Sequence, residues 1–376
     1  MSVSSVPVST EDPVNAAILT VSEDGLKGFQ RDPFGEISRR SRLELATVIE
    51  RIRAMLAAGT IRRVRQTLLS NKLAEGALVA WAVPQERLHA AFDYMFERDP
   101  FSGHVVIRTT DVDSAGSAYR LWTTLKVPQG FSLEKHVLLL ARETGAEAYR
   151  IMPARCLFAL GVGHVRRRGL EPGSRADEPA AVIDVQTEEL SELEWQVITA
   201  LKREFVLEEI NQEVWQARAE GTGLSLADFF KVAESLDERG LIGRFSTFLE
   251  HVKPLLEGER VTRYNALFHW AVKPGREPEA GREVGRHHVL THAYWREAGP
   301  EFRNVNIMGV AHGTDKGWLL EHKAAIDAHL LACGIGVTYT NVFWGGRSEI
   351  KPSEISPLIY QEWCAAQGID PQSMRA

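Results

Sequence analysis

The strongest constraint on this chain is an internal repeat. A stretch dense in polar and aromatic residues, GHVVIRTTDVDSAGSAYRLWTTL at 103–125, returns as THAYWREAGPEFRNVNIMGVAHG at 291–313. Each copy has a histidine, an arginine four residues on, a loop, and then an apolar strand that carries polar residues. His104 and His292 are 188 residues apart. Gly59 and Gly240, each closing a helix-turn-strand pattern, are 181 apart. The second copy therefore carries a small insertion, and one supersecondary unit has to fold twice.

The unit can be read from its periodicities. Asp32-Pro33 marks a helix start, with Asp capping and Pro at the first helical position. Leu45, Val48, Ile49, Ile52 and Leu56 recur at three and four, predicting a longer helix that ends at Gly59 before a strand. This is the pattern of a winged helix-turn-helix. From Gly76 the order becomes strand, helix, strand, strand, helix, strand, the βαββαβ order of a ferredoxin-like sheet. The same succession restarts after RRRGLEPGSRADEPAA, a charged, Pro- and Gly-containing stretch without periodicity.

The expected class is α+β, a tandem duplication of winged helix-turn-helix plus ferredoxin-like domain. The boundaries are 1–22 for an N-terminal tail, 23–70 and 188–248 for the winged helices, and 71–165 and 249–345 for the ferredoxin-like domains. Residues 166–187 form the linker and 346–376 a C-terminal arm.

Composition narrows the function classes. Hydrophobic residues make up 44% and charged residues 25%, and the net charge is −6. That balance gives no general attraction to nucleic acid or anionic membranes. Cys156, Cys333 and Cys364 form no CxxC, which suits a reducing compartment and argues against a disulfide scaffold or a thiolate metal site; Cys156 and Cys333 read as small buried apolar residues. The N-terminus lacks the basic and apolar regions of a leader, and no run of about 18 apolar residues exists. A cytoplasmic protein is expected.

Two motifs carry a family likeness. The second copy gives His292-Ala293-Tyr294-Trp295-Arg296, then Asn306-Ile307-Met308-Gly309-Val310-Ala311-His312-Gly313. The first gives His104-Val105-Val106-Ile107-Arg108, then Tyr119-Arg120-Leu121-Trp122. Together with the two-part architecture, which is similar to that of Lrp/AsnC regulators, these resemble the siroheme decarboxylases, including the fused two-half form of heme d1 biosynthesis. In that family each half carries a His-x-Tyr-x-Arg strand followed by a Tyr-Asn-containing strand. Two valines after His104, Arg120 in place of Asn, and Val305 in place of Tyr are departures. The second copy is the better preserved.

The resemblance implies decarboxylation of acetate side chains on siroheme or a related iron tetrapyrrole, to a didecarboxysiroheme, with no cofactor beyond the substrate's own iron. Loss of CO₂ leaves an electron pair on carbon that needs a proton, and histidine is the side chain suited to supply it near neutral pH. His292, His312 and His104 are the expected acid/base residues, with His312 or His292 the candidate axial ligand to the substrate iron. Arg296, Arg108 and Arg155 would hold carboxylates bidentately. Tyr294, Trp122, Tyr119 and Asn306 complete the expected substrate contacts. Positions two apart on a strand share a face, so His104 and Arg108 point one way, as do His292, Tyr294 and Arg296.

Without the repeat, a His and an Arg on one sheet face would read as a surface pair. His287, His288 and His292 do not make a metal set, because adjacent strand residues face opposite ways and no carboxylate joins them. No dedicated metal site is expected. Trp195 and Trp215 read as core, and Arg166, Arg167 and Arg168 as solvated linker. The rival class is a DNA-binding regulator of Lrp/AsnC type; a heme sensor or carrier without turnover is a third reading. Arg39, Arg40, Arg42, Arg51, Arg53, Arg62, Arg63 and Arg65 gather in the first helix-turn-helix. Across 225–240, however, two cations face four acids, the wrong sign for a helix against phosphates. Nucleic acid is not expected as a partner. The two halves resemble an internal pseudo-dimer, with further pairing into a homodimer left open.

Overall fold

The computed structural model describes residues 6–23, 25–69, 72–160, 170–185, 187–249 and 264–376. In chain order the elements are α1 (Pro13–Ser22), β1 (Leu26–Lys27), α2 (Pro33–Ser41), α3 (Leu45–Ala57), β2 (Ile61–Leu68), β3 (Ala74–Ala82), α4 (Leu88–Asp93), β4 (Ser102–Thr109), β5 (Leu121–Pro128), α5 (Leu133–Thr144) and β6 (Ala148–Leu160). There follow α6 (Glu192–Lys202), α7 (Gln216–Gly221), α8 (Leu226–Glu238), β7 (Ile242–Leu249), β8 (Tyr264–Val272), α9 (Glu277–Gly285), β9 (Leu290–Arg296), β10 (Ile307–Gly313), α10 (Lys316–Ala332), β11 (Val337–Ile350) and α11 (Pro357–Ala366). Arg166, Arg167 and Arg168 lie outside the described residues.

The elements divide into two compact units, 1–73 with 188–258 and 74–187 with 259–376. The helical parts of the two copies thus share one unit rather than forming two. In it β1, β7 and β2 make one antiparallel sheet, so the terminal strand of each copy completes the other's edge. Cross-copy contacts brace it: Phe205 N–H donates to the Val64 carbonyl at 2.8 Å, and Arg63 meets Glu204 at 3.0 Å. Gly59 (φ +79°) and Gly240 (φ +66°) both end a helix in the left-handed region, as the repeat required. Arg218 is buried against the Phe205 ring, at 3.6 Å from its centre, and is held by Glu209 and three backbone carbonyls.

The expected N-terminal tail is in part a helix. Asp12 accepts hydrogen bonds from Val14 and Asn15 N–H at 3.1 and 3.0 Å, Pro13 opens α1, and Ile18 is buried. This is the same Asp-Pro start as at 32–33, and packing of Ile18 and Leu19 is what orders it.

The second unit is an eight-stranded closed barrel, in the order β10-β8-β11-β4-β5-β3-β6-β9. Each copy supplies four strands in the order second-third-first-fourth of its βαββαβ set. The fourth strand of each copy pairs antiparallel with the second strand of the other: β6 with β9, and β11 with β4. Closure removes every sheet edge. Residues 346–350, expected in the arm, are the end of β11, with Ser348 opposite Val106 and Ile350 opposite His104. Beyond them α11 packs outside the barrel, where Tyr360 stacks on Phe131 at 4.2 Å and its hydroxyl meets His136 Nδ1 at 2.9 Å.

Alternation along the strands builds two layers. Val79, Trp81, Val105, Ile107, Leu121 and Leu125 face outward to α4 and α5; Phe268, Trp270, Ala293 and Ala311 face α9 and α10. The opposite faces meet in a third, interior cluster that includes Val106, Trp122, Met152, Leu267, Met308 and Phe343. An eight-stranded barrel is wide enough inside to be filled by side chains or to hold one small ligand.

Candidate functional site in the barrel

The inward face of β4 carries His104 and Arg108, that of β9 carries His292, Tyr294 and Arg296, and that of β10 carries His312. The register places these groups. Arg108 is opposite Gly345, Gly345 opposite Asn265, and Asn265 opposite His312, so Arg108, Asn265 and His312 form one row across β4, β11, β8 and β10. The glycine leaves the middle of that row open, and Arg108 Nη2 reaches across it to Asn265 Oδ1 at 3.1 Å. Arg108 Nη1 donates to the Phe343 carbonyl at 3.3 Å.

The other copy builds a matching corner. Arg296 donates through Nη1 to the Met152 carbonyl at 2.5 Å and lies 4.5 Å over the Tyr294 ring. Its companion is Lys126 on β5. Relative to its strand pair, Lys126 holds the place that His312 holds in the second copy, since His104 pairs with Thr124 and His292 with Val310, each two residues earlier. Each arginine is therefore fixed by groups from the opposite copy.

The electrostatics of the two corners are alike. Both guanidinium groups are buried, and among the described residues neither has a carboxylate partner. Burial pushes the Arg108 guanidinium down to about 9 and lowers that of Arg296, opposed there by the Tyr294 hydroxyl. Burial, with Arg296 adding to it, brings the Lys126 ammonium down to about 8. His104 is pushed down to about 3 by burial, then by Arg108 and His292, so it is neutral across the physiological range. The expectation of a near-neutral acid does not hold for His104 in the unliganded protein, because burial first, and then Arg108 and His292, disfavour its charged form. Its Nε2 is 2.8 Å from Ser348 Oγ. The His292 ring stacks on Tyr294 at 5.9 Å, and His292 Nδ1 lies 3.0 Å from Thr291 Oγ1. Thr291 is also 3.5 Å from His312 Nδ1, which links the two histidines through one hydroxyl.

Below this cationic level the interior turns apolar. Trp122 shares the face of Thr124 and Lys126, but its ring packs with Phe302 and Phe343 at 5.4 and 5.2 Å, and its N–H donates to the Tyr119 carbonyl at 2.7 Å. Tyr119 precedes β5 and packs on Phe302 at 5.2 Å. Trp122 and Tyr119 are floor rather than wall. Two expected contacts fall elsewhere. Asn306 spends its amide on Val272 N–H and C=O and on Glu277, joining β8 to α9 outside the lumen. Arg155 is exposed at the register irregularity of β6, away from Arg108.

Three interior groups were missed. Lys126 and Asn265 complete the corners. His269 is fully buried beside Trp122 and Phe343, with no partner for either ring nitrogen among the described residues, and is pushed down to about 3 by burial, then Arg108 and Lys323. Strict alternation in YNALFHWAV and YRLWTTLKVP would have found them, since Asn265 and His269 stand four apart, and Thr124 and Lys126 two apart, on one face.

The arrangement is a lumen with cationic corners and an apolar floor, suited to a flat apolar body that carries several carboxylates. Residues 73–159 match the model of the AsnC-like ligand binding domain. A siroheme decarboxylase of Hydrogenobacter thermophilus is 25% identical over 288 residues, 75% of this chain and 78% of that protein. The crystal structure of the siroheme decarboxylase NirDL superposes with a TM-score of 0.66 at 18% identity, over 94% of this chain and 99% of the other. The same figures hold for NirDL in complex with an iron-uroporphyrin III analogue. Among the described residues no helix is long and apolar enough to cross a membrane.

Proposed function

Starting from a chain that is a relative of the siroheme decarboxylases, we propose that it removes CO₂ from acetate side chains of siroheme or a closely related iron tetrapyrrole in the barrel lumen, giving a didecarboxysiroheme. The observation that carries this is the pair Arg108 and Arg296, buried at equivalent places and, among the described residues, hydrogen-bonded only to neutral acceptors. A buried cation without a counter-charge is costly. A ligand that brings carboxylates to both corners removes that cost.

In the reaction the bond from the acetate methylene to its carboxyl carbon breaks, CO₂ leaves, and the electron pair on the methylene takes a proton. Arg108 and Arg296 hold carboxylates and fix the macrocycle's register. His292 and His312, joined through Thr291, are the candidate proton donors, and His104 is a hydrogen-bonding neighbour whose proton affinity rises once carboxylates enter. The iron belongs to the substrate; His292 or His312 is the candidate to meet it. Trp122, Phe302 and Phe343 exclude water beneath the ring, which strengthens every charge interaction above it.

We read each βαββαβ set as a ferredoxin-like domain, and the helices and terminal strands of the other unit as two winged helices. The fused chain supplies both copies, so one chain is self-sufficient, and a cytoplasmic location is proposed with it. The winged unit is read as scaffold. Several of its cations are engaged in ion pairs, Arg39 and Arg40 with Glu36, Arg51 with Asp12, Arg31 with Glu234, and Arg239 with Glu188, while Arg42, Arg53 and Arg62 are exposed. A phosphate-binding surface needs such groups available.

The test is anaerobic incubation of the purified protein with siroheme, followed by product mass. Loss of one or two CO₂ units is expected. A spectral shift without mass change would make the protein a tetrapyrrole carrier or sensor, and neither change together with salt-resistant retention of a promoter fragment would make it a regulator.

A further inference from the structure

A second cluster of ligand-type side chains lies outside the barrel, where α9 meets α10. Glu283 is on α9 and His287 follows four residues later; His329 is on α10 and Cys333 follows four residues later. Two i, i+4 pairs from neighbouring helix ends thus turn toward each other. His329 Nε2 lies 2.6 Å from Glu283 Oε2 and 3.7 Å from Cys333 Sγ. One donor atom from each of Glu283, His329 and Cys333 falls within 4.8 Å of the others.

The convergence is informative. In a nucleophile-base-acid relay, thiol and carboxylate engage opposite nitrogens of the imidazole. Here both approach the same nitrogen, so three donors surround a common point, as they do around a metal ion.

His287 supplies an independent observation. It is 1% exposed, neither ring nitrogen has a partner among the described residues, and its ring meets that of His329 at 5.2 Å, edge to face. Buried polar groups are nearly always paired. His287 lies beside the three convergent donors rather than among them, and an unpaired buried imidazole in that place is accounted for by a fourth ligand position. Arg286 holds the Glu283 carboxylate at 3.0 Å, the kind of outer contact that orients a ligating group. Cys333, expected to be buried, is exposed, which leaves the thiol a route to solvent.

We propose that Glu283, His287, His329 and Cys333 bind one Zn²⁺ ion, a site separate from the tetrapyrrole lumen that pins α9 to α10. A set of carboxylate, imidazole and thiolate suits zinc among common divalent ions, and binding releases the Cys333 proton. His288 turns away to Ser174, at 3.0 Å, so the adjacent histidines do not act together; the candidate co-ligands of His287 are Glu283 on α9 and His329 and Cys333 at the end of α10.

The native protein without tetrapyrrole tests this directly. Of its three cysteines Cys156 and Cys364 are buried, so alkylation of the folded protein reports Cys333. One equivalent of Zn²⁺ should slow Cys333 alkylation by at least tenfold, and Co²⁺ should give a thiolate-to-metal absorption band at the same stoichiometry. His287→Ala should weaken the protection about tenfold or more while far-ultraviolet dichroism stays that of the parent. Unchanged alkylation with excess Zn²⁺ would overturn the site. So would a cobalt band that persists in Cys333→Ser, or full protection in His287→Ala. The wild-type alkylation result stands even where a variant fails to fold.

Discussion

The two corners of the barrel are one arrangement built twice with different titratable side chains. At one, Arg108 shares a row with Asn265 and His312; at the other, Arg296 sits with Tyr294 and Lys126. The arginine is kept in both, and in both it is anchored by the opposite copy. What diverges is the group at the equivalent place on the third strand, His312 against Lys126, and the residue between His and Arg, Val106 against Tyr294. In the proposed reaction both copies hold carboxylates, while proton delivery falls to the second, where His292 and His312 share Thr291.

The largest expected effect tests that division. His292→Ala should lower kcat by about 10²- to 10⁴-fold, the usual worth of a positioned acid or base, with tetrapyrrole affinity changed only a few-fold. His104→Ala should cost at most about tenfold on the scale of modest general acid–base effects. Equal losses in the two variants, measured under single-turnover conditions, would break the asymmetry.

The arginines test the symmetry instead. Arg108→Met and Arg296→Met should each weaken tetrapyrrole binding roughly 10- to 100-fold, since hydrogen bonds to a charged group contribute about 1.5–3 kcal/mol. Each should also raise the Tm of the unliganded protein, because a buried cation without a counter-charge is removed. A fall in Tm would show that the anchors on Asn265 and Met152 outweigh the desolvation cost and that the arginines are structural. If only one variant lost affinity, only one corner would hold a carboxylate.

Much of this was readable in advance, for reasons that separate local from non-local information. Helix stops at Gly59 and Gly240 and the start at Asp32 are decided within a few residues, and they appear where the sequence places them. The same Asp-Pro signal at Asp12 was outweighed by the polar composition around it. Composition carries no knowledge of the apolar surface that Ile18 covers. The βαββαβ order was legible, and barrel closure was not. Whether β6 and β11 pair across the copies is decided by contacts between strands far apart in sequence, and nothing in either strand names its partner. Site residues divided in the same way. Strand alternation correctly put His104 with Arg108 and His292 with Arg296. Asn306 stands just before β10, where alternation is not yet in force, and its amide went to Val272 and Glu277. Lys126 and His269 were passed over because a lone cation or imidazole in an apolar strand resembles an exception, whereas a closed barrel gives every second residue an interior address.

The smallest effect separates Lys126 from His312, and its sign follows from linkage. The folded-state ammonium, at about 8, is below its ordinary value of 10.5. Below pH 8 lysine is protonated in both states and the burial penalty is fully present. As pH rises from about 8 toward 10.5 the folded state loses the proton first, so stability of the unliganded protein rises across that window. Ligand affinity moves the other way, because an anionic tetrapyrrole prefers the charged ammonium: binding should fall by up to tenfold per pH unit above about 8. Lys126→Met should flatten both trends at their onset near pH 8, before Arg108, at about 9, contributes most of its own charge loss, and should weaken binding at neutral pH. His312→Ala should leave the pH 8 to 9 slope intact. Titrating tetrapyrrole absorbance against pH in the three proteins decides it. An unchanged slope in Lys126→Met would place the carboxylates at the Arg108 corner alone, and a slope lost in His312→Ala would mean that the corners titrate as one site.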